Sequence, residues 1–180
     1  MIRWYLRALE KKPTITMAIS TATLMSTGDV LAQTAIEKRH QHQNYQPIRT
    51  LRFFVFGLTI AGPSLRLWYK TLDKIIPAGA ALRPLKMVAL DQILFAPCFL
   101  TVFWTTMGIL RGETFTEVLD SLKKNGLSVL LSNYKLWPAV QLINFYWVPL
   151  QHRVLAANTV ALGWNTYLAW KAENQNHNIK

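Results

Sequence analysis

The sequence predicts an all-α integral membrane protein, a bundle of four spanning helices with one additional amphipathic helix. Three observations carry this reading. Segments at about 14–36, 49–76, 82–110 and 136–170 are long and poor in charge, the last a kinked piece followed by a final span at 154–170. A bilayer needs about 20 predominantly apolar residues per helix. Amides and acids recur inside these segments at spacings of three and four, which places them on shared helix faces. Seven Trp and an aromatic fraction of 12% suit the belts that membrane helices carry at their interfaces. The hydrophobic fraction of 51% and the mean hydropathy of +0.15 would not by themselves separate membrane from soluble protein, so the weight falls on the pattern.

A length of 180 residues favours a single domain. The net charge of +11 calls for an acidic partner: a phospholipid surface, a nucleic acid or an anionic solute. Basic residues are dispersed and flank apolar segments, which favours the membrane surface and argues against direct nucleic-acid binding. Cys98 is the single cysteine, so an internal disulfide and a zinc site built on paired cysteines are both excluded.

Residues 1–13 combine Arg3, Arg7, Lys11 and Lys12 with Trp4, Tyr5, Leu6 and Leu9. Glu10 and the absence of serine argue against a cleaved presequence, so the segment is expected to stay and to lie at the interface. In the first span, Ala18, Ala22 and Ser26 form a small-residue ridge, and Asp29 and Gln33 continue it. An aspartate deep in a span costs roughly 2.5–3.5 kcal/mol, so Asp29 either faces the bundle interior or sits at a helix break near the interface. The polar stretch 37–47 carries His40 and His42, which without a third ligand point to a solvated loop rather than a metal.

In the second span Gly57 and Ala61 offer a close-packing face, and Gly62-Pro63 predicts a kink. Arg66 is expected to snorkel to headgroups, the alternative being a pair with Asp29 or Asp91. The third span is charge-free from Gln92 to Leu110 and includes Pro97. Asp91-Gln92 at its start reads as an interfacial pair or as the mouth of a polar path. From 113 to 131 an apolar stripe of Phe115, Val118, Leu119, Leu122 and Val129 opposes Glu117, Asp120, Lys123 and Lys124. That predicts an amphipathic helix on the membrane or against the bundle, not a crossing one. Pro138 is expected to open the next helix, where its missing N–H costs nothing. Gln141, Asn144 and Gln151 then share a face, and Pro149 should kink or end the helix. In the final span Asn158, Ala161 and Asn165 line up, with Trp164, Tyr167 and Trp170 suited to the interface.

The pattern W-P-x-x-Q-x-x-N-F-x-x-V-P-x-x-x-R, formed by Trp137, Pro138, Gln141, Asn144, Phe145, Val148, Pro149 and Arg153, resembles the signature of the Mpv-seventeen/peroxisomal-membrane-protein family. Further marks stand in order: Gly28-Asp29 with Gln33, Gly62-Pro63 before Trp68-Tyr69, Asp91-Gln92 before Pro97, and Trp164-Asn165 before Tyr167-Leu168. Residues 96–100 and 136–149 look closest to its mitochondrial Mpv-seventeen/Sym-like members. Arg66 stands where the family often has histidine. The resemblance implies a small multi-span protein of the mitochondrial inner membrane, with the peroxisomal membrane as the alternative. It also implies a channel-like role in metabolite or nucleotide homeostasis and mitochondrial DNA maintenance.

No phosphate loop, metal motif or nucleophile–His–acid pattern occurs, so neither an enzyme nor a cofactor is expected. Two functional readings follow. In the first, Asp29, Gln33, Arg66, Asp91, Gln92, Gln141, Asn144 and Asn165 line a weakly selective pore for anionic metabolites or nucleotides that modulates membrane potential, with kinks at Pro63, Pro97, Pro138 and Pro149. In the second, the same residues are interhelical glue in a non-conducting structural or assembly factor, a homo-oligomer or part of a larger inner-membrane complex. Recurrence of polar residues in every span favours the first. Four spans would place both termini on one side, with Lys and Arg near parity between the two sets of loops.

Overall fold

The computed structural model describes residues 2–37, 44–147 and 150–174, with side chains described for 4–37, 44–143, 147 and 159–173. His40, His42 and Pro149, and the side chains of Asn144, Gln151 and Asn158, lie outside the described residues. Every described element is helical.

Helix α1 (Ile2–Lys11) ends at Lys12, whose backbone leaves the helical region, and Pro13 opens α2 (Pro13–Leu31) in the first-turn position it tolerates. The Thr16 hydroxyl bridges the break through the carbonyls of Ala8 at 3.0 Å and Lys12 at 2.9 Å. Helix α2 continues into a π-helical turn, Ala32–Ile36. Helix α3 (Pro47–Phe56) passes through a second π turn, Gly57–Ala61, into α4 (Gly62–Ile75). Helix α5 (Arg83–Leu90) passes through a third, Asp91–Phe95, into α6 (Ala96–Arg111). Gly112, at a φ of 84°, stops α6 in the left-handed conformation that favours glycine. Thr114 and Glu117 then form a capping box that starts α7 (Phe115–Tyr146), and α8 runs from Leu150 to Asn174.

Two π turns have a local cause. Pro63 and Pro97 lack an N–H, and their rings would press on the carbonyl four residues back. In each case the preceding turn widens: the Gly62 N–H bonds the Gly57 carbonyl, and the Ala96 N–H bonds that of Asp91. The helix absorbs its proline by gaining a residue in the turn, at the Gly62-Pro63 step where the sequence predicted a kink.

Helix α7 corrects two expectations. The predicted amphipathic helix at 113–131 and the helix that Pro138 was to open are one element of 32 residues, with Pro138 inside it. The capping box fixes its start, and nothing between 131 and 138 interrupts it; one lost backbone bond is a small share of so long a helix. At 1.5 Å per residue α7 is about 48 Å long, beyond the ~30 Å of a hydrocarbon layer. Its first turns, with exposed Glu117, Asp120, Lys123 and Lys124, account for the amphipathic pattern. Phe115, assigned to the apolar stripe, is 73% exposed, whereas Val118 and Val129 are buried as that stripe requires.

The helices alternate in direction. Gly57 and Gly62 lie on Ala22 and Ala18, so α3–α4 runs antiparallel to α2. Trp104 meets Ser121 and Gln92 meets Asn133, so α7 runs antiparallel to α5–α6. Helix α8 returns beside α2 in the same sense, with Asn165 against Gly28 and Ala169 at Arg49. The start of α2 and the end of α8 therefore lie at opposite ends of the bundle, not on the one side that a four-span count implied. Among the described residues two helical runs are long and apolar enough to cross a membrane, Pro13–Ile36 and Arg83–Arg111. Their most apolar stretches are only 33% buried, whereas the core helix of a soluble protein would be mostly enclosed. Ile15, Ile19, Leu51, Leu67, Ile93 and Ile109 are all exposed on the outer surface.

Candidate functional site

Charged and amide side chains turn inward and gather in two clusters. The first lies where α2 ends and α3 begins. Asp29 and Gln33, four residues apart, share the inner face of α2 and are fully buried, as is Arg49 from the first turn of α3. Arg49 Nε lies 2.6 Å from Asp29 Oδ1, and its two terminal nitrogens each donate to Glu37 at 2.9 Å. This is a bidentate fork, the geometry in which guanidinium binds carboxylate most strongly. Gln33 Nε2 donates to Asp29 Oδ2 at 2.8 Å, while Gln33 Oε1 accepts from the Gln46 amide, also at 2.8 Å. The Thr50 hydroxyl donates to Asp29 Oδ2 at 2.6 Å. Arg49 also reaches the Ala169 carbonyl at 3.4 Å and so ties α8 to the pair. At the same end Arg111 donates to Glu113 at 2.7 Å and to Glu173 at 3.1 Å, joining the end of α6 to the turn before α7 and to α8.

The second cluster lies on the third π turn, toward the opposite end. The Trp68 indole N–H donates to Asp91 Oδ1 at 2.9 Å, and Gln92 Nε2 donates to Asp91 Oδ2 at 2.7 Å. Asn133 of α7 donates to Gln92 Oε1 at 2.7 Å, and the Tyr134 hydroxyl donates to the Gln92 carbonyl at 3.0 Å. Gln141 borders Asp91 and Tyr69 across a gap of about 10 Å³, room for one water at most.

An aromatic column joins the clusters through the core. Trp68 stacks on Phe95 and Phe95 on Phe99, both at 5.2 Å. Phe99 meets Phe56 at 6.0 Å, Phe56 meets Phe103 at 5.3 Å, and Phe103 meets Phe53 at 6.0 Å. Phe53 stands one turn from Arg49, and among the described residues aromatic rings, not a chain of polar groups, link the two clusters. A space of about 190 Å³ lies elsewhere, in an apolar groove between α6 and α7 beside Leu100, Trp104 and Gly126. Among the described residues no set of three or more His, Cys, Asp or Glu could hold a metal ion.

The residues singled out in the sequence thus separate. Asp29 with Gln33 belongs to one cluster; Asp91, Gln92 and Gln141 belong to the other. Asn165 stands apart as packing against Gly28. Arg66 is half-buried, and the alternative pairing is not found: Asp29 pairs with Arg49, while Asp91 is held by Trp68 and Gln92. Sequence reasoning missed Arg49, which looked like a flanking cation before an apolar run. It also missed Ser121, Asn125 and Asn133, all buried on α7. Their spacing of four and eight was the available signal, hidden by the more conspicuous charges nearby.

The second cluster yields a direct test. Trp68→Phe keeps a ring on Phe95 but removes the donor to a carboxylate, a loss of about 1–3 kcal/mol. The melting temperature in detergent should fall; an unchanged value would show that this hydrogen bond contributes nothing.

Long apolar helices that expose Ile and Leu, with Asp, Glu and Arg held in partnered interior clusters, fit a helical membrane protein, whose outer apolar surface lipid covers. The model of the Mpv17 / PMP22 family matches residues 108–169. Mitochondrial inner membrane protein Mpv17 of Mus musculus is 42% identical over 170 residues, covering 94% of this chain and 96% of that one. The protein of the same name in Homo sapiens is 41% identical with the same coverage. Protein sym-1 of Neurospora crassa is 39% identical over 172 residues, covering 94% and 98%. No solved structure matches. The chain belongs to the Mpv17/PMP22 family, and it is a protein of the mitochondrial inner membrane.

Proposed function

We propose that this chain is a non-catalytic, channel-like protein of the inner membrane, closed in this conformation by its aromatic column. The observation that carries the reading is the order of layers along the bundle: a charged cluster, then Phe53, Phe56, Phe99 and Phe103, then a second polar cluster. Apolar constrictions between polar vestibules gate by excluding water. The three π turns sit beside this column or at its ends and provide places where the helices can change register. The net charge of +11 favours small anions such as metabolites or nucleotides. Control of that traffic, and of membrane potential, would serve nucleotide supply and mitochondrial DNA maintenance.

The test is conductance of purified protein in planar bilayers. Phe56→Ala with Phe103→Ala is expected to raise open probability at least tenfold over the parent, with the protein still monodisperse. A folded double variant no more conductive than bare lipid would sink the channel reading. A second reading, a non-conducting assembly factor, is favoured by how completely the amides and acids bond neighbouring helices, and such a result would support it.

A further inference from the structure

We infer that the end of the bundle bearing α1 is a docking collar for anionic phospholipid headgroups. The inference rests on the inner-membrane location and is independent of any channel activity. The fold divides the charge of the chain unevenly. Assigned by the half of the helix that carries them, eleven of the 20 Lys and Arg but three of the nine acids fall at the α1 end. Near parity between loops, as the four-span reading had it, disappears once α7 runs the length of the bundle and α8 returns beside α2.

The collar has a defined surface. Arg7, Lys11 and Lys12 on and beside α1 are exposed, and so are Lys70, Lys74 and Lys86 on α4 and α5. Among the described residues the one ion pair at this end is Arg83 with Asp73, so those six cations stand outside any ion pair. Of the other two acids of this end, Asp91 is turned inward to Trp68 and Gln92, and the exposed Glu10 of α1 offsets one of the six charges. At the opposite end the reverse holds, with Arg49 and Arg111 committed to Asp29, Glu37, Glu113 and Glu173. Helix α1 is itself built for a surface. Arg7 and Lys11 stand four apart on one face, Leu6 and Leu9 are half-buried, and Trp4 is 75% exposed, as an indole seated among headgroups would be. The break at Lys12 separates α1 from α2, so α1 need not follow α2 through the bilayer.

Each Lys or Arg near an anionic surface strengthens binding about fivefold. The experiment titrates phosphatidylglycerol, with phosphatidylcholine as the neutral comparison, into the full chain in uncharged detergent and reads the rise in melting temperature. The parent is expected to prefer phosphatidylglycerol. The triple variants Arg7→Glu/Lys11→Glu/Lys12→Glu and Lys70→Glu/Lys74→Glu/Lys86→Glu should each lose at least tenfold in apparent affinity, and Lys123→Glu/Lys124→Glu at the other end should lose little. About 1 M salt, which shortens the Debye length to about 3 Å, should erase the preference of the parent without any mutation. Equal loss in the Lys123/Lys124 control, persistence at high salt, or the same stabilisation by millimolar inorganic phosphate would overturn the collar.

Discussion

Arg49→Met is expected to cost about 3–5 kcal/mol and to leave little monodisperse protein, the largest effect of any single substitution in this chain. The side chain is fully buried and holds two carboxylates, one at 2.6 Å and one through a fork of two 2.9 Å bonds. Methionine fills similar volume, so the loss comes from Asp29 and Glu37 left together in a low-dielectric interior, not from a cavity. Two further variants separate charge from shape. Arg49→Lys keeps the charge but cannot form the fork, so an intermediate loss follows. Adding Asp29→Asn and Glu37→Gln to Arg49→Met should recover a large part of it, because neutral amides are cheaper to bury than unpaired acids. The measurements are size-exclusion profile and melting temperature in detergent. A parent-like melt for Arg49→Met would mean the cluster is solvated and its burial incidental.

Gly62→Val and Gly57→Val come next. A Cβ on Gly62 would lie 2.4 Å from Ala18 Cα and 2.9 Å from its nitrogen; on Gly57 it would lie 2.5 Å from Ala22 Cα. The obstacle is backbone, which cannot rotate aside as a side-chain tip can, so α2 must move off α3–α4. Overpacking costs about 1–3 kcal/mol per site where the core can partly yield, and more is expected where it cannot. The same move pulls Asp29 and Gln33 away from Thr50 and Gln46, so the first cluster should loosen as well. Gly163→Ala is the control, because nothing stands within 4 Å of the added carbon. It should be neutral or mildly stabilising, by up to about 1 kcal/mol from helix propensity. Equal behaviour of Gly62→Ala and Gly163→Ala would refute the close approach.

These two predictions differ in how far the sequence anticipated them. The glycine–alanine contact was half visible: Ala18 and Ala22 formed a ridge and Gly57 offered a small face, though not which faced which. Arg49 was invisible as a partner. A cation two residues after Pro47 and ahead of Phe53 and Phe54 has the same local pattern whether it snorkels to headgroups or turns inward. The difference lies in Asp29, twenty residues earlier, and Glu37, and in the antiparallel return that brings them together.

What the sequence by itself determined was helix, lipid exposure and inward polarity. Periodicity of apolar residues fixes which face a helix can bury, and the cost of a charge or an unbonded amide in hydrocarbon turns Asp29, Gln33 and Gln92 toward the interior wherever their helices stand. Tertiary structure alone decided the partners and the separation of the polar residues into two clusters across an aromatic column. It also decided that the positive charge collects at the α1 end. These depend on contacts between residues remote in the chain and on the direction in which each helix returns. Local periodicity carries neither, since a helix read upward or downward presents the same buried face.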